Sequence, residues 1–506
     1  MNRLAALLTV SLTLLTLGSA SAELQLRWAA DIGALSGAAS RPGGGGGAAV
    51  LGQKAIYQLD SAGAVRWAVP MSDIGRAFPV WRADGSLLAA SYDDFVYAVS
   101  AEGKVLWLLR LDGDIYASPA LLPDGSAVVA TAAGSLYRLG ADGQVMWRRN
   151  LGAPIYSSPA VGEDGHIYLG TQSGRVFAYG EDGLPLWMFQ AGRSVFGAPA
   201  LDRAGNVYFG SADHFLYSLT PAGRLRWKAE MKGFVNAGPT VTAGGLVVAG
   251  SYGGDLNAYA LDGTPAWSYS AESPIAAPAT ELAGGHLVVG DLSGHLHHVS
   301  AGGLGLERLS LGERIDMPVT AAEDGTLLVT VDGQLRAFAG GEPQAGGPWS
   351  FFRGTPQGWG RVPAASAAAA GATPAPAAQR PPAAPLPSPA RTAQPRLLGG
   401  RVQLPLQDLA AALGAEVLGA EVLEAEAPAA SERMTMTLQR GDQRLTLPAV
   451  FIGGVPYVSV TDLSRQPGAG VRLSASGVTV TWGKQAASWP LDWVQLRSSS
   501  NAAAQP

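Results

Sequence analysis

Four of the six histidines crowd into one stretch: His286, His295, His297 and His298. His295 and His297 share a strand face and His286 falls on the neighbouring strand, a pattern that suits a transition-metal ion. A second reading competes. His297 sits at a position that Tyr57, Tyr97, Tyr137, Phe177 and Tyr217 hold at intervals of about forty residues, so it replaces a packing ring. Asp-Gly pairs such as Asp84-Gly85, Asp124-Gly125, Asp142-Gly143, Asp164-Gly165, Asp182-Gly183, Asp262-Gly263 and Asp324-Gly325 bring carboxylates that hard cations favour. They lack the D-x-D-x-D-G spacing of a calcium loop and recur where hairpins must turn. The run GAAVLGQK (Gly47–Lys54) fails as a phosphate loop, because Gln53 breaks the pattern and no Ser or Thr follows Lys54. H-E-x-x-H and G-x-S-x-G are absent. With no cysteine in 506 residues, thiolate ligands, nucleophilic thiols, disulfides and a lipidated N-terminal cysteine are excluded together. The expectation is no catalytic residue, no metal and no cofactor.

The elements that would position any site come from a repeat. Ile115–Trp147 reads IYASPALLPDGSAVVATAAGSLYRLGADGQVMW, and a close copy ends at Trp187. Trp67, Trp107, Trp147, Trp187, Trp227 and Trp267 stand 40 residues apart, and Pro79, Pro119, Pro159, Pro199, Pro239, Pro278 and Pro318 keep the same beat at 39 or 40. Each unit holds four short apolar runs bounded by Gly-containing turns, which suit antiparallel hairpins. No run between turns reaches the ~10 residues that a helix needs. Four strands per ~40 residues make one propeller blade. Counting a weaker first unit about Pro42, the fold class is all-β: an eight-bladed β-propeller of four-stranded blades. The eighth unit, Ile315–Phe338, lacks a good last strand. Leu24–Trp28 matches only a last strand, so it should complete that blade and close the ring. Trp28 thereby joins the tryptophan column, which is expected to fill gaps between blades.

The first strand of each blade lines the central channel. Counting three residues back from each proline gives Arg76, Tyr116, Tyr156, Phe196, Asn236, Ile275 and Ile315. The residues that follow them are mostly small and apolar, and Asp316 is the one acidic group. A single carboxylate is too little oxygen for a calcium ion that takes 6–8 ligands. Arg76, Tyr116, Tyr156, Phe196 and Asn236 form the candidate interaction surface, because exposed aromatics favour interfaces.

The flanks carry other signals. Residues 1–22 read as a secretory signal peptide: Arg3, the apolar run Leu4–Leu17, then Ala20-Ser21-Ala22 before Glu23. No comparable apolar run follows, so the mature chain has no transmembrane segment. The propeller domain spans 23–361 and ends in an aromatic strap, Gly347–Arg361, expected on the last blade. Residues 362–395 are almost all Ala, Pro, Ser and Gly and read as a disordered linker. Residues 396–497 read as a small α+β accessory domain, with a short helix on Leu406, Leu409, Ala410 and Leu413, a hairpin about Arg440-Gly441-Asp442 and another about Ala475-Ser476-Gly477. Residues 498–506 are a disordered tail. A net charge of -5 with no Lys/Arg cluster argues against nucleic acid.

The repeat unit at Ser157–Trp187, with its SSPAV, DG, IYLG and final Trp, resembles the pyrroloquinoline-quinone-type propeller repeat. The strap PWSFFRGTPQ (Pro348–Gln357) is similar to a motif that accompanies such arrays. The resemblance implies the fold of Leu24–Arg361. Its members include quinone-dependent dehydrogenases, which hold a quinone and calcium inside the propeller and often use a vicinal disulfide. They also include non-enzymatic members such as the propeller lipoprotein of outer-membrane protein assembly. Fold alone does not choose among these. In the C-terminal half, GGRVQLPLQDLAAALGAEV (Gly399–Val417) and FIGGVPYVSVTDLS (Phe451–Ser464) resemble the copper amine oxidase N-terminal-like domain, an accessory module on exported proteins. That half has no histidine, so copper there is implausible.

The chain is therefore expected to be an exported, non-enzymatic scaffold, periplasmic or on the cell surface, that binds a protein or another envelope component. Outer-membrane protein assembly and envelope organisation are the roles implied. The alternatives are a pyrroloquinoline-quinone-dependent dehydrogenase and a surface module attached to wall polymer through its C-terminal domain.

Overall fold

The structure, a computed structural model, describes residues 24–43 and 47–363, and beyond them the backbone of nine strands between Arg396 and Pro490. The expected signal peptide, linker, tail and short helix at Leu406–Leu413 lie outside the described residues.

Eight four-stranded antiparallel sheets follow one another along the chain. Blade three is typical: Ala120–Leu121, Ala127–Ala130, Ser135–Leu139 and Val145–Asn150 run in order from the axis to the rim. Its middle strands are wholly buried and its outer strand alternates between exposed and half-buried residues. Middle strands are covered on both faces by neighbouring blades, whereas the outer strand faces water on its free edge.

Blade eight is composite. Thr320–Ala321, Leu327–Val331 and Gln334–Ala339 come from the end of the array, and Gln25–Asp31 supplies the rim strand. The pairing runs from Gln25↔Ala339 to Asp31↔Gln334, as expected for closure by the N-terminal segment.

The tryptophans sit at the rim, half-exposed except for the buried Trp187, and act as latches rather than as wedges deep between the sheets. Each indole Nε1 donates to a carbonyl in the outer turn of the next blade. The pairs run from Trp28 to Ser61 through Trp147 to Glu181 and Trp267 to Ala301, at 2.8–3.0 Å. The ring lies on that turn's glycine. At Gly143 (φ +85°) a Cβ would stand 2.7 Å from the Trp107 ring, so both the backbone and the contact require glycine. Blade seven carries Glu307 in the tryptophan's place, opposite His298. The reason is topological. The last two strands of blade eight are not joined in sequence, so it has no outer turn for an indole to rest on.

Around the axis, hydroxyls tie inner strands together. The Phe78 N–H donates to Ser118 Oγ (2.8 Å), and the Ser118 N–H donates to Ser158 Oγ (2.9 Å). The strap does not stay on the last blade as expected. It crosses the underside of the ring and accepts backbone bonds from six blades: from Ser40, Trp81, Leu121, Val161, Val241 and Glu281, at 2.8–3.0 Å. These N–H groups belong to the innermost edge strands, which would otherwise face the channel unpaired.

In the C-terminal half, the strands Arg401–Pro405 and Val455–Ser459 pair antiparallel within a six-stranded sheet. The two expected hairpins close at Arg440↔Gln443 and Ser474↔Gly477.

Candidate functional site

The hub has a sealed end and an open end. At the sealed end the strap inserts Trp349, Phe351 and Arg353, each at most 1% exposed. Phe351 and Phe352 pack edge-on against Phe78, with centroids 5.4 and 6.2 Å away. The Arg353 guanidinium donates to the carbonyls of Pro159 (2.9 Å), Pro119 (2.7 Å) and Ser118 (3.4 Å). Among the described residues no carboxylate pairs with it, and burial pulls its pKa down to about 9, so it stays a cation at neutral pH.

At the open end a cavity of about 510 Å³ gathers all five candidate residues: Arg76, Tyr116, Tyr156, Phe196 and Asn236. They are equivalent positions at the entrance to successive inner strands, so the repeat itself arranges them in an arc. Tyr116 packs on Tyr156 (5.0 Å) and Tyr156 on Phe196 (6.0 Å). All five are half-buried.

The count back from proline slips in the last two blades. Ile275 and Ile315 are fully buried, and the wall residues are Ala276 and Asp316. In blades seven and eight the proline stands one position earlier, while Ile275 and Ile315 stay in step with the buried Ile155, Val195 and Val235 of the other blades. Asp316 thus joins the arc beside Arg76, with Arg76 Nη2 at 2.7 Å and Arg314 Nη2 at 2.9 Å from its Oδ2. Two further rings, Tyr92 and Tyr252, were not singled out in the sequence. They occupy one repeat position, after the second strand, where Ala132, Gln172 and Ala212 stand in other blades; reading that column would have found them. Tyr92 leans on Tyr116 with centroids 4.1 Å apart, and burial pushes its phenol up to about 12. The wall is therefore aromatic on one side and carries an Arg–Asp–Arg group on the other. Asn236 Oδ1 is buried there without a hydrogen-bond partner. Such a mouth grips flat or apolar groups and orients them with a few polar contacts.

Residues 52–141, 132–220 and 203–369 match the family described as outer membrane protein assembly factor BamB. The chain belongs to this family. The crystal structure of BamB from Moraxella catarrhalis superposes with a TM-score of 0.54 at 17% identity, covering 62% of this chain and 99% of that one. A computationally designed protein, Ika8, gives a TM-score of 0.54 at 15% identity, covering 62% and 98%. These likenesses concern the propeller fold. A Deinococcus radiodurans protein named desiccation/radiation resistance protein is 41% identical over 207 residues, covering 32% of this chain. The chain spans about a third (34%) of the length of that relative.

The other chemical candidates resolve into packing. His297 is buried with Nε2 3.0 Å from Asp291 Oδ2 and Nδ1 2.9 Å from the Tyr269 hydroxyl. Burial holds its pKa below the ordinary histidine value, against the pull of Asp291. Tyr97 and Tyr217 occupy the same position in their blades and donate to Asp93 and Asp213. His286 and His298 lie ring against ring at 5.2 Å. Among the described residues no three His, Asp or Glu side chains converge as a metal site, and no helix is long and apolar enough to cross a membrane. The Asp-Gly carboxylates turn back on their own hairpins: Asp124 Oδ1 accepts from the Ser126 N–H at 3.0 Å.

Proposed function

We propose that this member of the BamB family is a non-enzymatic binding scaffold of the cell envelope, and that the open hub is its contact surface for a protein partner. The observation that carries this reading is the mouth itself. Half-buried rings stand opposite a polar wall whose one carboxylate, Asp316, is already held by two arginines. That donor set does not fit a calcium-bound quinone, which needs several free oxygens. Aromatic and arginine side chains around a concave centre are the composition of interface hot spots.

An exported location, a role in outer-membrane protein assembly and an accessory C-terminal module are parts of the same proposal. They are supported by the family and by the sequence signals at both ends of the chain. A stress-resistance role in the envelope is the second reading, favoured by the 41% identity to the Deinococcus protein. Survival of a deletion strain after drying separates it from an assembly role, which predicts altered outer-membrane protein levels instead.

The test is site-specific photocrosslinking in cells. A crosslinker at Tyr156 should trap one defined partner, and Tyr116→Ala with Phe196→Ala should abolish the adduct. A crosslinker on the exposed rim residue Leu306 should not trap it. If pyrroloquinoline quinone with calcium raised the melting temperature by several degrees, the dehydrogenase reading would replace this one.

A further inference from the structure

The repeat supplies its own controls. One position in the third strand of each blade carries Tyr57, Tyr97, Tyr137, Phe177, Tyr217, Asn257, His297 and Arg336. Seven of these eight are rings or a long side chain, and Asn257 is the short exception. Its neighbours are short as well. Across the sheet it faces Ala249 and Ser268, whereas Tyr217 faces Phe209 and Lys228 and Phe177 faces Leu169 and Met188.

The space that those side chains would fill is an open groove of about 640 Å³ on blade six, lined by Met231, Lys232, Asp255, Asn257, Trp267 and Ser268 among others. Its polar equipment is incomplete. Asn257 Oδ1 is buried and has no hydrogen-bond partner, while its Nδ2 contacts the Met231 thioether at 3.3 Å, beside the Tyr259 hydroxyl that reaches the same sulfur at 3.6 Å. Beside it Asp255, whose side chain is 2% exposed, pairs with Lys232 Nζ at 2.7 Å. A buried carbonyl oxygen left unmatched has lost its water without gaining a partner, so a ligand that brings a donor gains by relieving it.

We propose that this groove takes a tyrosine side chain of a partner protein, seated where the chain's own ring sits in other blades. The neighbouring blade shows the chemistry. Tyr217 is 5% exposed and its hydroxyl donates to Asp213 at 2.6 Å. In blade six the incoming phenol packs against Trp267 and Met231 and donates to the free oxygen of Asn257 or to Asp255. The phenol explains both halves of the site: the ring-sized vacancy and the unmatched acceptor. The site lies on the rim side of blade six, apart from the hub, and rests on the scaffold reading only for the source of the ring.

The probe is p-cresol, titrated against the full chain by ligand-observed NMR, with toluene as the analogue that lacks the hydroxyl. Wild type should bind p-cresol with a dissociation constant on the order of 1 mM, as suits so small a ligand, and toluene several-fold more weakly. Asn257→Tyr rebuilds the missing ring and should weaken binding at least tenfold while melting no lower than wild type. Ser268→Met, which copies the blade-four arrangement, should do the same if Asn257→Tyr does not fold. Leu306→Ala on the exposed rim of blade seven, which lines neither site, should leave p-cresol binding unchanged, and any p-cresol binding that Tyr156→Ala removes belongs to the hub, so the two sites fail independently. No binding to wild type at 10-fold above that constant, or unchanged binding in both blade-six variants, would overturn the groove. Equal affinity for toluene would overturn the tyrosine assignment.

Discussion

The two ends of the hub are made by the same eight inner strands, yet they are finished in opposite ways. At the sealed end the strap takes up edge N–H groups from six blades, and the side chains it inserts are fully buried. At the open end the wall residues are half-exposed, and Asn236 keeps an unmatched oxygen. Stability is concentrated at the floor, which frees the mouth to carry side chains chosen for something other than packing.

Four experiments test that division, the first having the largest effect. Arg353→Leu leaves the carbonyls of Ser118, Pro119 and Pro159 without their donor. It should cost about 3–5 kcal/mol, read as a lower denaturation midpoint; a loss below about 1 kcal/mol would mean that the floor is not the anchor. Tyr156→Ala at the mouth should cost only about 1 kcal/mol in the same assay while removing the partner adduct. Equal losses at the two ends would erase the contrast. Arg76→Ala breaks a partly exposed ion pair and should change stability by about 0.5 kcal/mol, less at high salt. The smallest effect is in blade seven. Burial depresses the folded-state pKa of His297, so the unfolded chain binds the proton more readily. Its contribution is fully present above the ordinary value near 6.5 and is lost as pH falls below it. His297→Tyr keeps a ring at this position and should flatten that acid-side slope; urea midpoints at pH 7 and pH 5 would show it.

Much of this was legible in the sequence because a repeat states each rule several times. The tryptophan beat, the turns between short apolar runs and the lone rim strand before Asp31 were enough to specify eight blades and their closure. The five mouth residues were legible for the same reason, as one column read across units. What failed was what the repeat does not fix. In blades seven and eight the proline itself stands one position earlier, so a count made from it landed on Ile275 and Ile315, although their own column keeps the forty-residue period with Ile155, Val195 and Val235. The strap is present once, so nothing periodic said that it would run beneath six blades. Asn257 drew no notice because a short polar residue in a strand is ordinary until its equivalents are seen to be large.

The composite blade has a consequence for how the molecule comes into being. Gln25–Asp31 is made first, but its partner, Gln334–Ala339, lies some three hundred residues downstream. The circle cannot shut until nearly the whole array has been synthesised. Until then Gln25–Asp31 has no sheet to join, and an exposed Leu26 makes it a ready partner for other chains. Such distant pairing is slow, and a circular permutant that joins these two strands through a short loop should therefore fold faster than the natural order.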